Sequence, residues 1–460
     1  MIHRLTLVEM ASLARSGSVS ALELIDAHLD RIEAVNPHYN AFTMLLADKA
    51  RVSARRADQG LKMGPLHGVP VTVKDSFDVT GLPTRLGSFF APEVPASEDA
   101  AVVARLRRAG AIVLGKTNTP EFLNSYETDN YITGRTNNPW NVERTPGGSS
   151  GGEAAAITSG CSPGGVGSDG GGSIRVPAHF CGIVGLKPTP GRISLIGHRP
   201  SHGVAGITVA GPMARSVADV RLLFEVLAGY DDRDSLSAPV ETRTPALKHA
   251  RIGVFETFYE NPVQPAVRRA VRQAASLLAG AGFEVDAFRP EGLERAPNLW
   301  SFFFAELPAR VSKERIAGRE AEAHWTYTEN LDRLLERPPA SASQVIESLA
   351  ARDAMRRKLV EQMRNVPFLL MPVAGIAAFP HRQRRFATEE KQIGLFQAMM
   401  PSTPFNLLGL PALSVPMILE QDGMPVGVQF VARPWEEEAL LELGVALEAA
   451  RGKFPAPPEP

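Results

Sequence analysis

The sequence predicts an α/β fold in one large domain, and three observations lead there. Short apolar runs of buried-strand character alternate with segments of helical period, first before residue 120 and again after residue 250. No repeat of solenoid period is present. No clear linker divides the 460 residues, which favours one domain over the roughly three that length alone suggests.

From Thr6 to Gly60 the pattern is helical. Ser20 followed by Glu23 has capping-box spacing, and Leu22, Ile25, Leu29 and Ile32 recur at helical intervals. A second helix is predicted from Asn40 to Gln59. Val69–Val73 and Ala111–Leu114 read as strands; between them Asp99–Ala109 reads as a helix closed by Gly110. Residues 134–212 are dense in Gly, Ser and Pro, a linker-like composition. Apolar runs at Ala154–Ile157 and Ile183–Leu186 predict instead that most of this stretch packs. After Ala250 the rhythm resumes. Ile252–Phe255 is a strand, Pro265–Ala281 a helix and Phe283–Val285 a strand. Residues 297–365 are mostly helical. Phe368–Pro372, Ala412–Pro416 and Pro425–Val431 are buried strands, and Trp435–Arg451 is the last helix. Residues 454–460 (FPAPPEP) have nothing to pack and are expected to be disordered.

Composition excludes several classes of function. Hydrophobic residues at 44% and charged residues at 22% are those of a globular chain. With 49 basic and 50 acidic side chains the net charge is -1, so no bulk field holds nucleic acid or an anionic membrane. Two cysteines support no disulfide framework and fit a reducing compartment. Glu9 and Arg15 break any apolar signal region, and no run suits a transmembrane helix, which points to the cytoplasm.

Several motifs mislead. Gly110 to Thr117 fits the P-loop expression, but a helix precedes Gly110 and the intervening residues form a buried-type strand. Gly165 to Gly170 fits G-x-G-x-x-G, yet no acidic residue follows before Asp219 to hold a ribose. His198 and His202 lack a third metal ligand and read as packing or exposed histidines. Cys161 and Cys181 read as small buried hydrophobes. Arg382, Arg384 and Arg385 read as a solvated face.

The chemistry concentrates elsewhere. Pro146 to Gly152 places Ser149 and Ser150 between paired glycines, just before the helix-like Glu153–Thr158. Gly170, Gly171 and Gly172 precede Ser173, and consecutive glycine amides can converge on an oxyanion. A nucleophilic serine needs a base, and no histidine with an acidic orienter stands in register. Lys74 ends an apolar strand. Burial there would have to move its pKa from about 10.4 to near 7, a cost of roughly 4–5 kcal/mol. Snorkelling to water is the plain alternative for this side chain.

These residues resemble the amidase-signature family. The resemblance runs through Gly64–Pro70, Lys74-Asp75, Gly115–Asn118, Gly134–Pro139, Gly147–Gly152, Gly167–Pro177, Cys181–Pro188 and Gly211-Pro212. It continues in Pro404–Asn406, Gly409–Ala412 and Gly427–Gln429, covering nearly the whole chain. It implies a three-layer α/β/α domain around a large mixed sheet, spanning residues 1–453. Within it lie a helical region 1–60, a signature core 61–215 and a substrate-shaping helical insert at about 290–365.

The resemblance also implies a Ser–cis-Ser–Lys triad with Ser173 as nucleophile, Ser149 as bridge after a cis peptide, and Lys74 as base. It implies an oxyanion hole from the amides of Gly170, Gly171, Gly172 and Ser173. Ser150 matches an accessory hydroxyl near the lysine, and Asp169 with Arg175 a structural ion pair. Leu123, Asn124, Ser125 and Tyr126 match a pocket wall. Many members carry Thr or Ile where this chain has Gly170, a departure that loosens the oxyanion turn.

No metal and no organic cofactor is implied, and the partner expected is a small molecule, with a homodimer as the assembly. Trp300, Phe302, Phe303, Phe304, Trp325 and Tyr327 suggest an apolar mouth for aryl or hydrophobic amides; core packing explains them as well. Esters and carbamates suit the same nucleophile. Two rivals stand beside this reading: the A subunit of glutamyl-tRNA(Gln) amidotransferase, and a non-catalytic binding protein on the same fold. The Glu153 after the paired glycines looks more like stand-alone amidases.

Overall fold

Thirteen strands appear in the computed structural model, which describes residues 2–200, 206–241, 247 and 250–460. They are β1 (Phe42–Leu45), β2 (Pro70–Lys74), β3 (Ile112–Thr117), β4 (Gly164–Asp169), β5 (Val184–Lys187), β6 (Val209–Ala214), β7 (Arg251–Val254), β8 (Glu284–Ala287), β9 (Phe368–Pro372), β10 (Arg385–Ala387), β11 (Gln392–Gly394), β12 (Ala412–Leu419) and β13 (Pro425–Val431). Eleven form one mixed sheet in the order β1-β3-β2-β4-β6-β5-β12-β13-β9-β7-β8, while β10 and β11 make a separate hairpin. Helices cover both faces, giving a single α/β/α domain.

The period of two along β2 sets up the site. Val71 and Val73 join the core built with helices Leu7–Ser16, Val217–Leu227, Pro265–Gly280 and Glu437–Arg451. Thr72 and Lys74 emerge on the opposite face, where Thr72 meets Glu153 of helix Gly151–Thr158. That second layer packs Ala154 and Ile157 against Ile174 and Ala178 of the next segment.

The glycine-rich stretch forms the centre of the sheet. Its described residues are mostly buried, unlike those of a linker. Strands β4 and β6 lie within it: β4 (GGVGSD) has little of the apolar signature that marks a strand in sequence, and Gly211-Pro212 interrupts that of β6 (VAGPMA). Their glycines allow close approach: a Cβ at Gly165 would collide with the Glu153 carboxylate, and one at Gly211 with the Leu186 carbonyl. The P-loop look-alike is mostly β3, fully buried, with Lys116 Nζ 2.6 Å from Asp75.

Three expectations are corrected. The helix from Asn40 to Gln59 is strand β1 followed by helix Ala47–Gln59. Asn40 takes a left-handed conformation (φ 51°) that closes helix Ala21–Tyr39, and Phe42–Leu45 then pairs with β3. The Ser20–Glu23 capping box at the start of that helix is present. Residues 454–460 are held: Phe454 packs edge-on against Trp140, Pro457 is buried, and Glu459 pairs with Arg31 at 2.6 Å. The basic cluster is more than a solvated face. Arg384 pairs with the buried Glu127 at 2.6 Å, and both Arg382 and Arg384 stack on Trp325. Cys161 and Cys181 are buried free thiols. Among the described residues no helix is long and apolar enough to cross a membrane.

Candidate active site

Strands β2 and β4 run parallel as neighbours, so their C-terminal ends deliver residues to one place. Lys74 is the last residue of β2, and the glycine loop to Ser173 follows β4. The turn before helix Gly151–Thr158 brings Ser149, and the peptide between Gly148 and Ser149 is cis. Lys74 Nζ donates to Ser149 Oγ at 2.7 Å, to Ser168 Oγ at 3.0 Å and to the Ser168 carbonyl at 3.3 Å. It does not snorkel, since its exposure is 0%. Burial lowers its pKa from 10.5 to about 7, against the opposing charges of Asp169 and Glu153.

Ser173 is half-buried and opens on a pocket that Ser149 also lines. The Ser150 amide donates to the Ser173 carbonyl at 3.2 Å, so the two serine segments touch. The Ser150 hydroxyl lies instead against the Ser168 backbone, at 3.3 Å from its carbonyl. The second hydroxyl on Lys74 therefore belongs to Ser168, a residue that sequence spacing did not single out. Glu153, fixed by Thr72 and Thr117, is also buried, and burial raises its pKa to about 7.

Asp169 and Arg175 anchor the glycine loop from beneath. Both are fully buried, and the guanidinium grips the carboxylate with Nε–Oδ2 at 3.0 Å and Nη2–Oδ1 at 3.1 Å. The remaining donors reach Asn406 Oδ1 (2.6 Å), Gln429 Oε1 (3.0 Å) and the Ser402 carbonyl (3.0 Å). Burial alone would raise the Asp169 pKa, but the Arg175 charge and hydrogen bonds hold it well below the carboxylate range.

Asp169 Oδ1 also accepts the Gly172 amide at 2.6 Å. This corrects the expectation for Gly172: its N–H is turned inward, leaving Gly170, Gly171 and Ser173 as the oxyanion donors to consider. Tyr126 Oη and Trp300 Nε1 donate to the carbonyls of Gly171 (2.8 Å) and Gly170 (2.7 Å). Glycine at 170 has a steric cause. A Cβ there would lie 2.6 Å from Phe304 Cε2, and one at Gly171 would strike Trp300. Rings from the insert occupy the space and brace the turn.

The Amidase family profile matches residues 23–441. The chain belongs to the amidase-signature family. It is an enzyme of the amide-hydrolase class. It is 34% identical to a glutamyl-tRNA(Gln) amidotransferase A subunit of Chloroflexus aurantiacus, covering 97% of this chain and 96% of that one. A solved chain from a vestigial protein complex bearing on the origins of an s-triazine catabolic enzyme, with inhibitor bound, superposes with TM-score 0.90. It is 31% identical and covers 98% of this chain and 100% of its own. A bacterial aryl acylamidase gives TM-score 0.88 at 25% identity, covering 98% and 96%.

In this amidase the pocket above Ser173 measures about 90 Å³. Phe122, Leu123, Asn124, Ile207, Thr208, Phe303, Phe304, Arg315 and Tyr327 line it, with Ser149, Ser168 and Gly170 beside Ser173. Leu123 and Asn124 are thus wall residues. Ser125 and Tyr126 are not in the lining; Ser125 presses its carbonyl toward Gly148, and Tyr126 holds Gly171. Phe303, Phe304 and Tyr327 reach the pocket, whereas Trp300 stacks behind Phe304 at 4.9 Å and Phe302 packs in the cluster beneath. Trp325 is absent from the lining. His198 lines the pocket and packs edge-on against Phe77; His202 lies outside the described residues.

No pattern in the sequence marks Arg315, Ile207 or Thr208, because only the folded chain brings these remote segments over the serines. A larger hollow of about 1010 Å³ is lined by Pro239, Phe368, Arg433 and Trp435 among others, and among the described residues its lining holds no serine, threonine or cysteine. Among the described residues no cluster of three or more His, Cys, Asp or Glu could hold a metal ion.

Proposed function

We propose that this chain hydrolyses carboxamides through an acyl-enzyme on Ser173, with Ser149 relaying a proton to Lys74. One observation carries the reading: a fully buried lysine, its pKa lowered to about 7, bonded to Ser149 at 2.7 Å. Neutral Lys74 accepts a proton from Ser149 as Ser149 takes one from Ser173. Ser173 Oγ bonds to the carbonyl carbon. The amides of Gly170, Gly171 and Ser173 receive the developing oxyanion. The C–N bond breaks as the proton returns through Ser149 to the departing nitrogen, and water then cleaves the ester. Esters and carbamates suit the same steps.

The sign of the pH dependence follows from the lysine. Its neutral form is the active one, and lowering its pKa places the change near neutrality. We expect kcat/KM to rise from pH 6 and level off above about 8, with a midpoint near 7. A flat profile from pH 6 to 9 contradicts Lys74 as the titrating base.

Two substrate readings draw on different observations. The curated relatives support an amidotransferase A subunit that releases ammonia from glutamine within a complex: A subunits from several organisms, matched over nearly their whole length, are 33–36% identical. This reading has the broader support of the two. The rings Phe122, Phe303, Phe304 and Tyr327 in the pocket support an aryl or hydrophobic amide. Ammonia release from glutamine and aniline release from an acyl anilide, each with and without the other amidotransferase chains, separate them. Glutamine turnover dependent on those chains supports the amidotransferase reading; anilide turnover by the isolated chain supports the stand-alone amidase. Failure of both substrates under both conditions contradicts both substrate readings.

A further inference from the structure

Among the described residues the pocket over Ser173 carries a guanidinium and no acid. Pro308, Ser312 and Arg315 recur at helical spacing at and along helix Ala309–Ile316, and all three line the pocket. The Arg315 guanidinium lies 4.5 Å over the Phe122 ring and beside the Tyr327 hydroxyl, whose own proton goes to the Ser312 carbonyl at 3.1 Å. Its neighbours are paired: Lys313 with Asp332 at 3.6 Å and Arg319 with Glu322. Among the described residues Arg315 forms no ion pair, and no Asp or Glu stands in the pocket lining.

A guanidinium stays charged at any working pH, and its planar fork matches a carboxylate. Packed on an aromatic face at the edge of a catalytic pocket, with its donors uncommitted to any acid, it is poised to receive one. We infer that Arg315 binds a carboxylate on the substrate, so that this enzyme prefers small amides that carry a free carboxylate, such as dicarboxylic acid monoamides. The inference rests on hydrolysis at Ser173 and adds the substrate class to it.

The test compares glutaramate with valeramide, a neutral amide of the same length. Wild-type kcat/KM is expected to favour glutaramate by about tenfold or more, the range of a charge-assisted contact. Arg315→Gln is expected to bring the ratio near one, and Arg315→Lys to restore part of it. A wild-type ratio near one, or a ratio unchanged in Arg315→Gln, overturns the inference while Ser173-dependent turnover keeps the hydrolase reading. If neither amide is turned over, calorimetric titration of both into Ser173→Ala protein decides the pocket separately. Glutaramate binding that Arg315→Gln abolishes supports the inference; equal binding of the two amides, or none, overturns it.

Discussion

Ser173→Ala and Lys74→Ala are each expected to lower kcat/KM by about 10⁴-fold or more, the loss seen when one member of a serine catalytic unit is removed. The two losses have different origins. In the proposed mechanism Ser173→Ala removes the atom that bonds to the carbonyl and disturbs little else. Lys74→Ala removes the proposed proton acceptor, bonded to Ser149 at 2.7 Å. Because both act on one step, Ser173→Ala combined with Lys74→Ala should be little slower than either alone. Initial rates on any turned-over amide check this, with circular dichroism as the folding control. A variant with near-wild-type rates contradicts the assignment of that residue.

Arg175→Met is expected to destabilise the fold by about 3–5 kcal/mol, because it leaves Asp169 charged and buried without its partner. The guanidinium also satisfies Asn406, Gln429 and the Ser402 carbonyl, all buried. Asp169 in turn fixes the Gly172 amide, so the loop before Ser173 loosens with the pair. Urea unfolding measures the first effect. The double variant Arg175→Met with Asp169→Leu should recover part of the lost stability, since it removes the orphaned charge. A midpoint unchanged in Arg175→Met contradicts a structural role for the pair.

Much of this organisation is legible in the residue pattern. Alternation of apolar runs and helical periods predicts the α/β domain, and the position of Lys74 at the end of an apolar strand marks it as out of place. What escapes is set by tertiary contact. Strand β1 hides inside a helical period because its pairing with β3 outweighs local propensity. Strand β4 hides because its sequence, GGVGSD, allows close approach at Gly165 in place of apolar bulk, and β6 because Gly211-Pro212 interrupts its apolar run. Ser168, not Ser150, supplies the second hydroxyl on Lys74, a choice of side-chain direction that linear spacing cannot express. At Gly170 the ring of Phe304, more than 130 residues away in the chain, fills the space a side chain would need.

Ser173, activated through Ser149 by a neutral Lys74, is expected to become acylated. This is tested most directly by mixing the protein with p-nitrophenyl acetate, quenching in acid, digesting and weighing the peptides. One acetyl group is expected on the peptide carrying Ser173, absent in Ser173→Ala and formed far more slowly in Lys74→Ala. Acetyl on another residue with Ser173 unlabelled, or p-nitrophenol release undiminished in Ser173→Ala, would contradict this mechanism.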